Sequence, residues 1–370
     1  MIDPQAFYDY LKSKDIDLFA GVPDSLLASL CACIKENSDK THNIICANEG
    51  NAIAVASGYH LASGKYGCVY MQNSGLGNAV NPLLSLCDKA VYSIPLLMIV
   101  GWRGQPGTKD EPQHVTQGRL TLGLLETLGI KYVVLTDDYQ TIIDDCVAYM
   151  QREKQPIALV VEKGTFQDYS SPGLVTDFQL TREAALEVIL DQLGPDDFIV
   201  STTGKTSREI FEIREARHQD HSRDFLTVGS MGHTASIGFG MSLASDKAIY
   251  VIDGDGSFLM HLGCFPVIAQ VAKKNFKYIL NNNGAHESVG GQPTVALAID
   301  VAGMLQAAGF KTIYSAFTAR EIEGALAKMK DESLCALVLY TKVGSRDDLG
   351  RPTKSPQENK EELMAGISER

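Results

Sequence analysis

The sequence has no apolar run long enough to cross a bilayer. Its longest, Ile94 to Val100, is interrupted by Pro95, whereas a spanning helix needs roughly 20 apolar residues. No cysteine pair has Cys-x-x-Cys spacing. The eight cysteines are scattered, at 31, 33, 46, 68, 87, 146, 264 and 335. Cys31 and Cys33 lie two apart on a predicted helix and do not face together. Buried reduced thiols in a cytoplasmic protein are expected, not a disulfide framework. Met1-Ile2-Asp3-Pro4 carries no basic n-region or signal core, which agrees with that compartment. Basic charge is short: 33 Lys and Arg face 45 Asp and Glu, a net charge of −12. That balance argues against nucleic acid or an anionic membrane as partner. It also means that an anionic substrate needs locally concentrated positive charge.

The 370 residues, 45% of them apolar, suffice for two domains with their own cores. In the first half, strands are expected at 17–20, 43–47, 67–71, 95–100, 131–135 and 157–161, with helical patterns between them. Asp3-Pro4 caps the first helix, with Pro at N1. The stretch around 166–180 breaks this rhythm with Ser170-Ser171-Pro172-Gly173 and reads as a linker. The pattern then repeats, with strands at 197–200, 225–228, 248–252, 277–280, 312–314 and 336–340. Such alternation predicts α/β domains, each a doubly wound parallel sheet with helices on both faces. The expected organisation is a first domain over 1–165, a second over 181–343, and a tail over 344–370. The tail ends in a short helix, capped at Ser355-Pro356-Gln357-Glu358.

The most informative stretch is Asp253-Gly254-Asp255-Gly256-Ser257, at the end of an apolar strand. The next strand ends in Asn281-Asn282-Asn283-Gly284. Adjacent parallel strands deliver a carboxylate and an amide to one sheet edge. Hard oxygen ligands beside glycine-exposed N–H groups suit Mg²⁺ holding a diphosphate. An EF-hand from Asp253 fails, with Phe258 and Cys264 at its sixth and twelfth positions. A dinucleotide fingerprint fails at Leu259. Thr202-Thr203-Gly204-Lys205-Thr206 is no P-loop, because Ile199 stands where that motif needs glycine. Its strand-to-helix turn still offers hydroxyls and N–H groups to a phosphate. The plainer reading of a lone Gly-Asp-Gly is a tight turn with solvated carboxylates, and the Asn-Asn-Gly strand end outweighs it.

Gly-Asp-Gly followed under thirty residues later by Asn-Asn resembles the signature of the thiamine diphosphate-dependent decarboxylases. Here 28 residues separate Asp255 from Asn283. The resemblance covers nearly the whole chain and implies two domains of the thiamine diphosphate-binding fold. The third, middle domain of larger members is absent, since only a linker fits. It implies that Asp255, Asn283 and the Ala285 carbonyl bind Mg²⁺, with a one-residue ambiguity between Asn282 and Asn283. It implies that Thr203, Gly204, Gly254, Gly256, Ser257 and Asn283 surround the diphosphate. The Gly229 carbonyl would bond the pyrimidine amino group, and Met231 would hold the cofactor bent. Glu49, in Glu49-Gly50-Asn51-Ala52, reads by itself as a charge near a helix N-terminus. The resemblance makes it the glutamate that bonds the aminopyrimidine ring and activates the cofactor. It further implies a site shared between subunits, hence at least a homodimer.

Three loops are candidates for the substrate: Gly21 to Ser25, with Asp24 and Ser25; Gln72 to Asn78, with Asn73 and Ser74; and Trp102 to His114, with Arg103, Lys109 and His114. The last holds the sole tryptophan and reads as one long functional loop. His114 is a candidate for proton transfer or carboxylate binding. His286, Arg346 and Arg351 are further cations that could meet an anion. Gly-Val-Pro-Asp-Ser, Lys-Asp-Glu-Pro-Gln-His and Asn-Gly-Ala-His-Glu-Ser-Val-Gly-Gly-Gln-Pro-Thr resemble family members acting on three-carbon 2-keto acids that end in a strong anion, phosphonopyruvate or sulfopyruvate. Phosphonopyruvate is preferred because one chain holds both domains. A reading of another class, a non-catalytic Mg²⁺–nucleotide binder, would need Asp255 and Asn283 but not Glu49.

Overall fold

The computed structural model describes residues 1–368, which divide into two compact units, Met1–Gly173 and the chain from Leu174 onward. In the first unit, β1 (Leu18–Gly21), β2 (Asn43–Ile45), β3 (Gly67–Gln72), β4 (Leu97–Gly101), β5 (Lys131–Val134) and β6 (Ile157–Val161) form one sheet in the order β2-β1-β3-β4-β6-β5. Every pairing is parallel. Both faces are covered, so the strands read as unbroken apolar runs. In β4, Leu97 and Ile99 belong to one core and Met98 and Val100 to the other, following the two-residue period of a strand.

The second unit has β7 (Phe198–Ser201), β8 (Asp224–Leu226), β9 (Ile249–Gly254), β10 (Phe276–Asn282), the short strands β11 (Ala285–His286) and β12 (Gln292–Pro293), then β13 (Thr312–Ala316) and β14 (Cys335–Tyr340). Its main sheet, also parallel, runs β13-β14-β10-β9-β7-β8. Read from the other edge, this is the strand sequence of the first unit. In both, the second strand lies on one side of the first and the third on the other. That reversal opens a crevice at the carboxyl ends of β1 and β3, and of β7 and β9, where ligands of such sheets collect.

Three local features depart from the sequence reading. Strands β9 and β10 continue through Gly254 and Asn282, with Leu280 opposite Asp253 and Asn281 opposite Gly254. The parallel ladder carries polar residues that an apolar pattern would exclude. Residues 112–114 are not loop. Helix Pro112–Thr127 starts there with Glu111 as N-cap and Pro at N1, which places His114 in its first turn. Finally, β11 and β12 form an antiparallel pair where no strand was expected.

The stretch read as linker is anchored. Phe166 joins the first unit's core, 5.2 Å from Phe7 edge-on, and Phe178 lies 5.6 Å from Tyr340 in the second unit. Residues 344–352 are pinned as well. Arg346 pairs with Glu183 and Glu212, and the Gly350 N–H donates to Glu212. Helix Pro356–Ser368 follows, its start closed reciprocally by Ser355 and Glu358. Among the described residues, no helix is long and apolar enough to cross a membrane, and all eight cysteines are free thiols.

Candidate functional site

Each unit gathers its candidate residues at the carboxyl edge of its own sheet. In the second unit, β9 ends at Gly254, and Asp255 opens the helical turn Asp255–Met260. The preceding Asp253 is spent on the fold: it accepts from the Gly254 N–H and from the Tyr278 hydroxyl at 3.1 Å. Asp255 is 3% exposed and accepts from Thr294 Oγ1. Burial pushes its pKa up to about 6, against the lowering effect of Thr294 and nearby backbone N–H groups. A divalent cation beside it would reverse that effect.

The three asparagines at the end of β10 have separate tasks. Asn281 accepts from Thr341. Asn282, fully buried, donates to the Ala296 carbonyl at 3.0 Å and accepts from the Gly284 N–H. Asn283 donates to Glu287 at 2.9 Å and turns Oδ1 to the Ala285 N–H at 3.0 Å. Both amides are thus engaged at both ends, and each Oδ1 keeps a second lone pair. They differ in that the Nδ2 of Asn282 is spent on the fully buried core, whereas that of Asn283 meets the carboxylate of Glu287. The carboxylate of Asp255, Oδ1 of Asn283 and the Ala285 carbonyl are hard oxygen donors suited to Mg²⁺. No group of three His, Cys, Asp or Glu that could hold a metal occurs among the described residues.

Around this set the backbone is kept bare. A Cβ on Gly256 would lie 2.6 Å from His286 Nδ1 and 3.0 Å from Met231 Cε. His286 is buried, burial lowers its pKa to about 4, and its Nδ1 has no partner. An unpartnered buried nitrogen against the glycine turn fits a polar group arriving there. Ser257 Oγ accepts from the Gly232 N–H at 3.0 Å and so ties the Gly229–Gly232 loop to the turn, and its side chain also hydrogen-bonds Asp253. In that loop Ser230 adopts φ +53°, a strained value for a non-glycine residue. Thr203 and Gly204 follow β7, and Gly204 has φ +93°. Glu287 and Thr294 stand in the quoted motif from Asn283 to Thr294, which gives neither of them a role of its own. Thr294 reaches Asp255 only through the β11–β12 pair.

In the first unit Glu49 is the first residue of helix Glu49–Ser63, behind the N-cap Asn48. It is 5% exposed and accepts from Asn78 Nδ2 at 2.8 Å. A Cβ on Gly75 would sit 2.3 Å from its Oε1. The glycines of Gln72–Asn78 thus let that loop close on the carboxylate.

Asp24 follows β1, is fully buried, and accepts from Gln72 at 2.6 Å, while Ser74 donates to the same Gln72. Its other oxygen has no partner and faces Gly101, and burial raises its pKa. Arg103, after β4, is engaged on every side: Nε on Asp110 at 2.8 Å, Nη2 also on Asp110, and Nη1 on Ser25 at 2.7 Å. Asp110 further binds His114 Nδ1 at 2.8 Å and the Gly104 N–H. Burial would raise its pKa, but Arg103, His114 and the N–H groups outweigh it and hold the carboxylate ionised. Asn73 donates to the Arg103 carbonyl and to Thr121. One network therefore joins Ser25, Asn73, Arg103 and His114, with Asp24 and Ser74 joined through Gln72 beside it. Lys109 is exposed and outside the network. Asp110, quoted in the loop motif but given no role, is its hub.

Residues 4–127 match the family profile "Thiamine pyrophosphate enzyme, N-terminal TPP binding domain", and residues 202–339 match its C-terminal counterpart. A phosphonopyruvate decarboxylase of Streptomyces viridochromogenes is 36% identical over 369 residues, covering 94% of this chain and 90% of its own. Another, from Streptomyces hygroscopicus, has the same identity and coverage. A sulfopyruvate decarboxylase of Methanosarcina acetivorans is 30% identical over 315 residues, 78% of each chain. That relative spans both units in one chain, so a single polypeptide does not separate the two substrates. Identity and coverage do favour the phosphonopyruvate enzymes. The chain belongs to the thiamine pyrophosphate enzyme family, and its two sheets are that family's N- and C-terminal cofactor-binding domains.

Proposed function

We propose that this chain decarboxylates phosphonopyruvate to phosphonoacetaldehyde and CO₂, using thiamine diphosphate held by Mg²⁺. The observation that carries the reading is the 36% identity to phosphonopyruvate decarboxylases over 94% of the chain, beside which Glu49, Asp255 and Asn283 stand at the carboxyl edges of the two sheets. Asp255, Asn283 and the Ala285 carbonyl hold the metal, and the turns at Thr203–Gly204 and Gly254–Gly256 receive the diphosphate. When bound, the cofactor supplies a nucleophilic carbon and an electron sink for the bond to CO₂. Glu49, buried and fixed by Asn78, holds the proton exchanged with the pyrimidine ring. Met231 and the Gly229 carbonyl orient that ring.

Ser25, Ser74, Asn73 and His114 line the end that meets the keto acid. His114 is oriented by Asp110 through Nδ1, which leaves Nε2 to donate or accept. Arg103 acts by holding Ser25 and Asp110 in place, and its positive charge attracts the dianionic phosphonate. The enzyme works as at least a homodimer with its site shared between subunits. Val267 and Val271, one turn apart on helix Cys264–Val271, are 59% and 55% exposed, which supports a covered face there.

The test is CO₂ release from phosphonopyruvate, sulfopyruvate and pyruvate with thiamine diphosphate and Mg²⁺. Phosphonopyruvate is expected to be turned over fastest, and Glu49→Gln to lose about 10²-fold or more of the rate. A sulfopyruvate preference would sink the substrate assignment. Parental turnover in Glu49→Gln with cofactor bound would sink the mechanism and favour a binding protein.

A further inference from the structure

We infer that Glu287 is a positioning residue that fixes the orientation of the Asn283 amide, so that Oδ1 and not Nδ2 is presented to the divalent cation. The inference rests on the reading of Asn283 as a metal ligand. An asparagine amide is nearly symmetric in shape, and only its oxygen can bind Mg²⁺. Something must decide which end points inward. An ionised carboxylate only accepts hydrogen bonds, so the end of the amide facing Glu287 has to be nitrogen. Asn283 Nδ2 donates to Glu287 Oε2 at 2.9 Å, and the opposite end, Oδ1, accepts from the Ala285 N–H at 3.0 Å.

Glu287 is itself held from two sides. Arg182 Nη1 donates to Oε2 at 2.8 Å and Lys205 Nζ to Oε1 at 2.9 Å. Arg182 is also clamped by Glu209 at 2.6 Å and 2.7 Å, and Arg182, Glu209 and Glu287 are all buried or nearly so. Two cations and two carboxylates balance, so the network has no spare charge for a ligand and its geometry is set. It also joins two turns. Lys205 follows Gly204, where a Cβ would lie 2.4 Å from Ser288 Oγ, and Ser288 accepts from the Lys205 N–H at 3.3 Å. The metal-holding end of β10 and the turn after β7 are therefore fastened together through residues 287 and 288. Partners that orient a metal ligand are commonly worth 10–100-fold in metal affinity.

The competing account is that the buried ion pairs serve stability alone. Binding of Mn²⁺ in place of Mg²⁺ separates the two, followed by the electron paramagnetic resonance of the free ion. The full-length protein is saturated with thiamine diphosphate and no keto acid is present, so the result is independent of the substrate assignment. Glu287→Gln, whose amide can donate as well as accept, is expected to weaken Mn²⁺ binding about tenfold or more. Asn283→Asp is also expected to weaken it, although it adds a negative ligand, because the new carboxylate faces Glu287. The double variant Asn283→Asp/Glu287→Gln exchanges donor and acceptor and is expected to recover most of the affinity. Parental affinity in Glu287→Gln overturns the inference. So does tighter binding in Asn283→Asp, which keeps the test decisive if Glu287→Gln does not fold. A double variant as weak as the two losses combined leaves only the stability account. Parental affinity in Asn283→Ala removes the ligand assignment and this inference with it, whatever the enzyme decarboxylates.

Discussion

Asp24 shows how a single residue trades stability for a prepared site. Its carboxyl is fully buried and has one oxygen without a partner, and burial outweighs the attraction of Arg103 and His114. Burial raises its pKa above that of the unfolded chain. A group shifted this way contributes most to stability below the unfolded carboxylate range. That contribution is lost as pH rises through the folded value. At neutral pH the fold therefore carries the cost. Asp24→Asn keeps the shape without the charge. It should raise the melting temperature at pH 7, by roughly 2–4 °C for each kcal/mol gained, and shrink the stabilisation seen on mild acidification. Turnover should fall in the same variant, as expected where an active site stores the cost. Calorimetry across pH together with CO₂ release checks both; an unchanged melting temperature would refute the burial argument. Residue types and spacing pointed to Asp255 and Asn283, because each stands at a strand end beside glycine. Glu49 stood out through the family resemblance, and Asp24 through its place in the turn after the first strand. Asp110, Thr294 and Glu287 escaped, because what they do depends on a neighbour brought by the fold.

At the scale of elements, helix Thr234–Ala244 lies on β9, the strand that delivers Asp253 and Asp255. The contact passes over Gly238, where a Cβ would lie 2.2 Å from Val251 Cγ2. Gly238→Ala must push the helix off the strand or displace Val251, at a cost of about 1–3 kcal/mol. Denaturant unfolding should show that loss, and cofactor affinity should fall with it because the Gly229–Gly232 loop opens this helix. Equal stability in the variant would mean that the packing can yield there. Strand positions were readable from apolar runs, since both faces of a parallel sheet are buried. Their ends were not: Asn281 and Asn282 extend β10 because β9 and β14 hydrogen-bond to them. His114 lies in a helix and not in a loop because Glu111-Pro112 starts one, a local signal hidden among the polar residues of 103–114.

For the whole molecule, the recurrence of one strand order in two units explains why the motifs come in two separated groups. Each reversal of winding creates one crevice, and each crevice has its own chemistry: a carboxylate and hydroxyls in the first, hard oxygen donors and bare backbone in the second. Val267 and Val271 on the second unit's surface belong to a covered face if the enzyme is an assembly. Val267→Glu/Val271→Glu should shift sedimentation toward monomer and lower specific activity at low protein concentration. A parental sedimentation profile would place the subunit contact elsewhere.

The sequence by itself determined the two α/β domains, the separation of 28 residues between Asp255 and Asn283, and the place of Glu49 at a helix start. These are local matters: apolar periodicity, glycine at turns and residue type at strand ends are written in consecutive residues. Only the tertiary structure decided which partners the amides of Asn282 and Asn283 meet, that Arg103 is tied to Asp110 and Ser25, and that Glu287 stands against Asn283. Hydrogen-bond satisfaction is settled by groups distant in sequence. Burial makes each such group find a partner, and the fold alone says which one it meets.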